Sequence, residues 1–305
     1  MPIATVKQIN NQIDLQTLYV RLSQLGLNEE FVRSHGLPDW WCAEFEATDS
    51  AVVTAAAYIS GRFNLDLRSL LNPDLSPTFR ELPRTKFKAY GIAATCDDIS
   101  ACEISPERLT AHHLAFRIAE LVAFAYQRDY CSIAGMTASS IRAMILEKYG
   151  CVSLEGLLDF CTVYGIPVAH FEDFPSSQIT KTFHGIVTNC DRRPVIVVSL
   201  GDRDVSHLAS DLAFVIAHEL GHIALNHLDD NETISEADMI TGNLIDAEES
   251  LANQFARELI GDDVGENISI NQYLSQWLDW ESLSNDNQEY LALALGLDIM
   301  EVIKD

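Results

Sequence analysis

The chain has 305 residues, of which 48% are hydrophobic, and a formal net charge of −25 at pH 7. This length suffices for one large domain or two moderate ones, and the apolar fraction suffices for a sizeable core. Lys and Arg number 20 against 45 Asp and Glu, so we expect no direct nucleic-acid binding, which needs clustered basic side chains. Such an acidic surface favours basic protein partners, or serves solubility alone.

The sequence lacks the features of a secreted or membrane protein. No segment suggests a membrane span, and residues 1–8 have neither the basic start nor the apolar core of a signal peptide. The seven cysteines are scattered and form no C-x-x-C pair, which argues against a disulfide framework or a cysteine zinc site. We therefore expect a cytoplasmic protein without membrane contact.

The first part of the chain, residues 1–105, is predicted to be a helical interaction or regulatory domain. Turn-rich stretches at 71–77 and 97–106 place its boundary. Its short helices resemble a degenerate helix-turn-helix, although the reading surface expected for one carries no basic residues. Trp40 and Trp41 are expected in its core. The predicted helices cover 15–25, 28–35 and 50–63, and another begins at 67.

The second part, residues 106–305, is predicted to combine helices with a small antiparallel sheet. Two β-rich runs, 185–189 and 194–200, are separated by a short polar turn and predict a hairpin. The fold class expected for the whole chain is α+β, predominantly helical. The predicted helices before the hairpin cover 106–127, 138–149 and 154–164.

Residues 218–222 read His-Glu-Leu-Gly-His within a strongly apolar helical stretch. Positions i and i+4 of a helix share a face, so His218 and His222 can bind one metal ion, while Glu219 is the candidate general base. Gly221 is unfavourable inside a helix and is expected to let another backbone pack closely. The alternative is a pair of structural core histidines. An apolar stripe at helical spacing surrounds the motif: Leu208, Leu212, Val215, Ile216, Leu220 and Ile223.

A catalytic zinc site needs a third protein ligand and one open position. Residues 246–260 predict a second helix whose inner face is small or apolar except for Glu249, a buried carboxylate that must find a cation. Glu249 is therefore the first choice of ligand, and Glu248 the second, whereas Glu258 faces solvent. Asn253 is placed to orient a ligand histidine. His227 lacks the glycine turn that precedes a third histidine ligand in extended motifs, so we expect it at the surface or at a polar helix end.

The two helices together resemble the ImmA/IrrE family of zincin-like metallopeptidases. The resemblance rests on the His218–His222 motif and on Glu249 followed by an Ala-Asn-x-Phe-Ala run. Residues 165–168 and the predicted hairpin also match the family's pattern, and the similarity covers about residues 106–270. It implies a metallopeptidase domain at 106–305, with His218, His222 and Glu249 as zinc ligands and Glu219 as the base. Mn²⁺ is another candidate metal, because sites with two histidines and one glutamate can also bind it.

The resemblance also implies a function. We expect a zinc-dependent endopeptidase that makes site-specific cuts in a regulatory protein, typically a helix-turn-helix repressor of the XRE type, and so controls a stress or mobile-element response. In such enzymes a sheet edge beside the metal commonly binds the substrate as an added strand. The alternative is a regulatory or scaffold protein whose metal site is structural or vestigial and which cuts nothing.

Overall fold

The computed structural model divides the chain into two compact units, Met1–Arg80 and Glu81–Asp305. The boundary therefore falls after Arg80 rather than near residue 105, because strand residues in 84–94 pair with a strand of the second unit. The described residues are 13–81, 84–89, 92–94, 106–171, 174–175, 184–199, 208–228, 232–236, 247–261 and 269–302.

The described part of the first unit is helical, as predicted. Asp14, Asn28 and Asp66 each cap a helix by accepting a hydrogen bond from the backbone N–H three residues later. Arg62 is buried and donates to the carbonyl oxygens of His35 and Leu37. The helices are α1 (Leu15–Ser23), α2 (Glu29–Phe31), α3 (Ala43–Glu46), α4 (Ala51–Arg62) and α5 (Leu67–Leu71), with a π-helical turn at Val32–Gly36.

The second unit contains the remaining helices, and those predicted before the hairpin are confirmed to within two residues at each end. Thr137 and Ser153 cap two of them with their hydroxyl groups. These helices are α6 (Pro106–Ala125), α7 (Ala138–Tyr149), α8 (Leu154–Val163), α9 (Leu208–Ala224), α10 (Ala247–Ile260), α11 (Ile270–Ser275), α12 (Asn285–Ala294) and α13 (Ile299–Val302). None of the helices in the described ranges is both long and apolar enough to cross a membrane.

The second unit also contains a mixed sheet, so the expectation of an antiparallel sheet is wrong. The strands are β1 (Arg84–Ala89), β2 (Ile92–Ala94), β3 (Val168–His170), β4 (Gly185–Cys190), β5 (Arg193–Val198) and β6 (Glu232–Glu236). β4 pairs antiparallel with β5 as the predicted hairpin, but β3 pairs parallel with β5, and β1 pairs parallel with β6. The order is β2-β1-β6-β4-β5-β3.

The core of the second unit lies where α9 packs between the sheet and the other helices. Val187 and Ile196 of the hairpin, Ile216 and Leu220 of α9, and Leu259 of α10 are all completely buried. Since α9 is apolar on nearly every side, its few polar side chains are forced into the interior with it. This position of α9 brings the His-Glu-x-x-His residues into a buried, closely packed environment.

Candidate metal centre

The two motif histidines share one face of α9. His218 and His222 are each 1% exposed, and their rings meet edge to face with centroids 4.7 Å apart. Their Nε2 atoms lie 3.0 Å apart. The i, i+4 spacing inside a buried helix therefore places both nitrogens at one point in the interior, as the sequence predicted.

Glu249 comes to the same point from α10. Its side chain is 3% exposed, on the face that also buries Ala252, Phe255 and Ala256. The predicted inner face is thus confirmed, and the neighbouring candidates differ from it: Glu248 is half-buried and Glu258 is exposed.

Close packing of α9 against α10 depends on Gly221. A Cβ atom at this position would lie 3.2 Å from Ala252 Cα, 3.2 Å from Phe255 Cβ and 3.3 Å from the Ala252 carbonyl oxygen. These separations are tight for any real side chain, so glycine lets the α10 backbone approach α9 directly. The expectation for Gly221 is confirmed, and the approach is what brings Glu249 within reach of the histidines.

The three side chains form a group that could hold a metal ion. His218 Nε2 lies 3.2 Å from one carboxylate oxygen of Glu249, and His222 Nε2 lies 3.3 Å from the other. Burial would raise the pKa of the Glu249 carboxyl, but the contacts with His218 and His222 outweigh it and hold that pKa below its ordinary value. The group therefore presents two nitrogens and a carboxylate to a common centre.

The spacing of these donors fits a tetrahedral metal site. Bonds of about 2.0–2.2 Å from zinc to histidine nitrogen or carboxylate oxygen, at tetrahedral angles, put neighbouring donors roughly 3.3–3.6 Å apart. The observed separations of 3.0, 3.2 and 3.3 Å are close to that range. Two imidazoles and one carboxylate would fill three corners and leave the fourth open, which is the ligand set of catalytic zinc.

Glu219 faces the sheet, while the histidines of the same helix face α10. It is 1% exposed, and a Cβ atom at Gly185, the first residue of β4, would overlap both its Oε1 atom and Val215 Cγ1. Glycine at position 185 is thus required for the carboxylate to lie against the β4 backbone. Glu219 directly follows His218 on α9, and its carboxylate lies on the side of the helix that faces β4.

His227 lies just past the end of α9, one of the two places expected for it, and makes a contact with His222 that was not expected. It is half-buried, and its Nδ1 atom lies 3.0 Å from His222 Nδ1, on the side of the His222 ring away from Nε2. The cause is the helix end: Asn226 adopts a left-handed conformation (φ 59°), and His227 N–H donates to the His222 carbonyl oxygen at 3.0 Å. This is a Schellman ending, which folds His227 back over His222. Asn253 was expected to orient a ligand histidine, but the contact at His222 comes from His227.

β4 is an internal strand of the sheet. Three of its residues, Ile186–Thr188, pair with β6 and six pair with β5, so this stretch of β4 offers no edge to which a substrate strand could be added. A cavity of about 660 Å³ lies at the other end of β4, lined by α6, the β4–β5 turn and the residues around the start of α12. None of the metal-binding candidates lines this cavity.

The comparisons with known proteins return no match. No protein-family model matches the chain, and neither the curated proteins nor the solved structures contain a similar one.

Proposed function

We propose that this chain is a metal-dependent endopeptidase of the zincin type. The observation that carries the proposal is the meeting of His218, His222 and Glu249 at one buried point. Glu219, which is also buried, directly follows His218 on the same helix. Two histidines and a glutamate with one open position are the ligand set of hydrolytic zinc enzymes. The similarity of both helices to the ImmA/IrrE pattern supports the same reading.

Each residue has a distinct role in this proposal. A zinc ion held by His218, His222 and Glu249 would polarise the scissile carbonyl and lower the pKa of a water molecule to about 7. Glu219 would accept a proton from the attacking water and then donate it to the nitrogen of the leaving amine. Burial of Glu219 keeps its carboxylate away from bulk water, so its proton transfers stay within the site. Manganese or iron is also compatible with these ligands.

The proposed substrate is a basic regulatory protein, and a helix-turn-helix repressor fits this description. With a net charge of −25, the chain would attract positively charged proteins and repel nucleic acid. Cutting such a repressor at one site would switch on the genes it silences, which links the activity to a stress or mobile-element response. A cytoplasmic location goes with this proposal.

A second candidate is a regulatory or scaffold protein with a structural metal site. Two observations favour it: the three candidate ligands are each at most 3% exposed, and β4 has strands on both sides. A metal that protein encloses on every side has no position open to substrate, which is typical of structural rather than catalytic zinc. On this reading the helical, acidic surface would perform the function.

Cleavage of a proteome-derived peptide library distinguishes the two. Zinc-loaded wild-type protein, Glu219→Gln and the matched control Glu258→Gln would each be incubated with the library, and new termini identified by mass spectrometry. The peptidase proposal expects new termini with wild type and the control, and none with Glu219→Gln or after chelation. New termini made equally by Glu219→Gln would exclude Glu219 as the base. Their absence from every sample would favour the scaffold.

A further inference from the structure

The first unit exposes aromatic rings in a segment that has no basic residue. From Leu37 to Gly61 the sequence contains no Lys, Arg or His. Trp40 is 50% exposed, which corrects the expectation that it lies in the core. We call this region the acidic aromatic surface; it comprises the rings of Trp40, Trp41, Phe45 and Tyr58 and the exposed carboxylates of Asp39, Glu44 and Asp49.

The rings of this surface hold one another in fixed orientations. Trp40 packs edge to face on Phe45 at 5.0 Å and on Tyr58 at 5.8 Å between centroids. Trp41 also contacts Phe45 at 5.0 Å, and its Nε1 donates to Glu46 at 2.8 Å. Because these rings are already fixed by their neighbours, they lose little side-chain conformational entropy on binding. Aromatic residues of this kind often contribute much of the binding energy in interfaces.

The charge of the surface is negative at neutral pH. Hydrogen bonds with its own backbone amide and with Cys42 lower the pKa of Glu44. Hydrogen bonds from Arg33 and, to a smaller extent, from Trp41 lower the pKa of Glu46. Arg33, the nearest arginine or lysine before this segment, makes salt bridges to Glu46 at 2.5 Å and Glu29 at 2.9 Å. The segment itself contributes four acids, Asp39, Glu44, Glu46 and Asp49, and no cation.

Exposed indole beside carboxylates is suited to a particular chemistry. An aromatic face attracts a guanidinium or ammonium group, and a nearby carboxylate pairs with the same cation. Nucleic acid and anionic membrane surfaces would be repelled by the same acids. We propose that the acidic aromatic surface binds a lysine- or arginine-bearing segment of a partner protein, with the cation over Trp40. This binding needs no metal and no cleavage, so it stands apart from the proposed function.

Binding of a labelled peptide by the full chain tests this proposal. The probe is an acetylated and amidated peptide with four arginines separated by glycines, and its comparison is the same peptide with citrulline in place of arginine. The chain carries Glu219→Gln so that the peptide stays whole. We expect the Kd of the arginine peptide to rise about fivefold in Trp40→Ala. A separate double variant, Glu44→Gln with Asp49→Asn, should raise it by a similar factor. The citrulline peptide should bind at least about fivefold more weakly than the arginine peptide.

Three controls separate this site from general attraction to an acidic protein. Val53→Ala removes another exposed apolar side chain, and Glu147→Gln with Glu155→Gln removes the same charge from exposed positions of the second unit. Trp40→Leu keeps apolar area without an aromatic face and should bind as weakly as Trp40→Ala, which guards against loss of folding. Equal Kd values for Trp40→Leu and wild type would overturn the proposal. It would also be overturned if the Glu147 and Glu155 pair weakened binding as much as the Glu44 and Asp49 pair.

Discussion

His222 Nδ1 lies 3.0 Å from His227 Nδ1, while the Nε2 atom of the same ring faces His218 and Glu249. A histidine can offer a lone pair from one nitrogen only if the other carries the proton. If His222 Nδ1 carries the proton and donates it to His227, the Nε2 atom of His222 is the one left to bind a metal. In that tautomer His227 would position a candidate ligand without contacting the metal, a role that its expected place at the surface or a polar helix end did not include.

Replacing His227 should weaken metal binding while leaving the fold intact. Because the residue orients His222 from outside the ligand set, we expect His227→Ala to lower zinc affinity about 10- to 100-fold. Competition with a fluorescent chelator measures this, and Leu225→Ala, an exposed neighbour, is the control. Zinc affinity unchanged in His227→Ala would show that its contact with His222 does not orient the ligand.

Gly185→Ala should damage activity while the metal stays bound. The added methyl group would overlap Glu219 Oε1 and Val215 Cγ1, so the carboxylate must move away from β4. Displacing a base by about 1 Å costs roughly 10- to 100-fold in rate. The measurement is kcat on a peptide that wild type cleaves, with zinc content determined on the same sample. Wild-type kcat in this variant would mean that the position of Glu219 against β4 does not matter.

Gly221→Ala and Gly61→Ala form a matched pair of helix substitutions. A Cβ atom at Gly61 on α4 meets nothing within 4 Å, so alanine there should stabilise the first unit by up to about 1 kcal/mol. At Gly221 the same change crowds Ala252 and Phe255. The cost of this overpacking, about 1–3 kcal/mol, should exceed the gain in helix preference, so that Gly221→Ala destabilises the second unit. Hydrogen exchange measures both effects, as slower exchange of peptides from α4 in Gly61→Ala and faster exchange of peptides from α9 and α10 in Gly221→Ala. Slower exchange of α9 and α10 in Gly221→Ala would contradict the close approach.

Acid should destabilise the second unit through His113. Burial, and then the neighbouring His112, lowers the pKa of His113 to about 3, whereas an unfolded histidine titrates near 6.5. The unfolded chain therefore takes up the proton at a higher pH than the folded chain does. The stability that neutral His113 contributes is complete above about pH 6.5 and is lost as the pH falls towards 3. The slope is at most about 1.4 kcal/mol per pH unit. Urea unfolding gives the free energy of unfolding of His113→Gln and wild type at several pH values between 7 and 4. If the two free energies fall in parallel with pH, His113 is not the cause of the acid sensitivity.

Local sequence pattern was sufficient for the parts of the site that lie along single helices. Helix periodicity located α9 and α10, and the lone carboxylate on an apolar face identified Glu249 without any knowledge of what it meets. Gly221 likewise signalled a close backbone approach. These inferences succeed because a helix converts spacing directly into shared faces.

Nonlocal pairing was outside the reach of the same patterns. The pairing of β1 with β6 joins residues almost 150 positions apart, and neither strand alternates clearly enough to reveal it. The contact of His227 with His222 was missed for a different reason. Its signal was present in Asn226, a residue that favours the left-handed conformation at helix ends, and a Schellman ending there would have turned His227 towards His222.

Metal content of purified variants tests the central claim most directly. Each protein would be dialysed against limiting zinc and its zinc measured by mass spectrometry. The account predicts one zinc ion per chain in wild type, in Glu219→Gln and in the control Glu258→Gln, and little or none in His222→Ala and Glu249→Gln. Full zinc occupancy in His222→Ala or Glu249→Gln, or none in wild type, would contradict a metal centre formed by His218, His222 and Glu249.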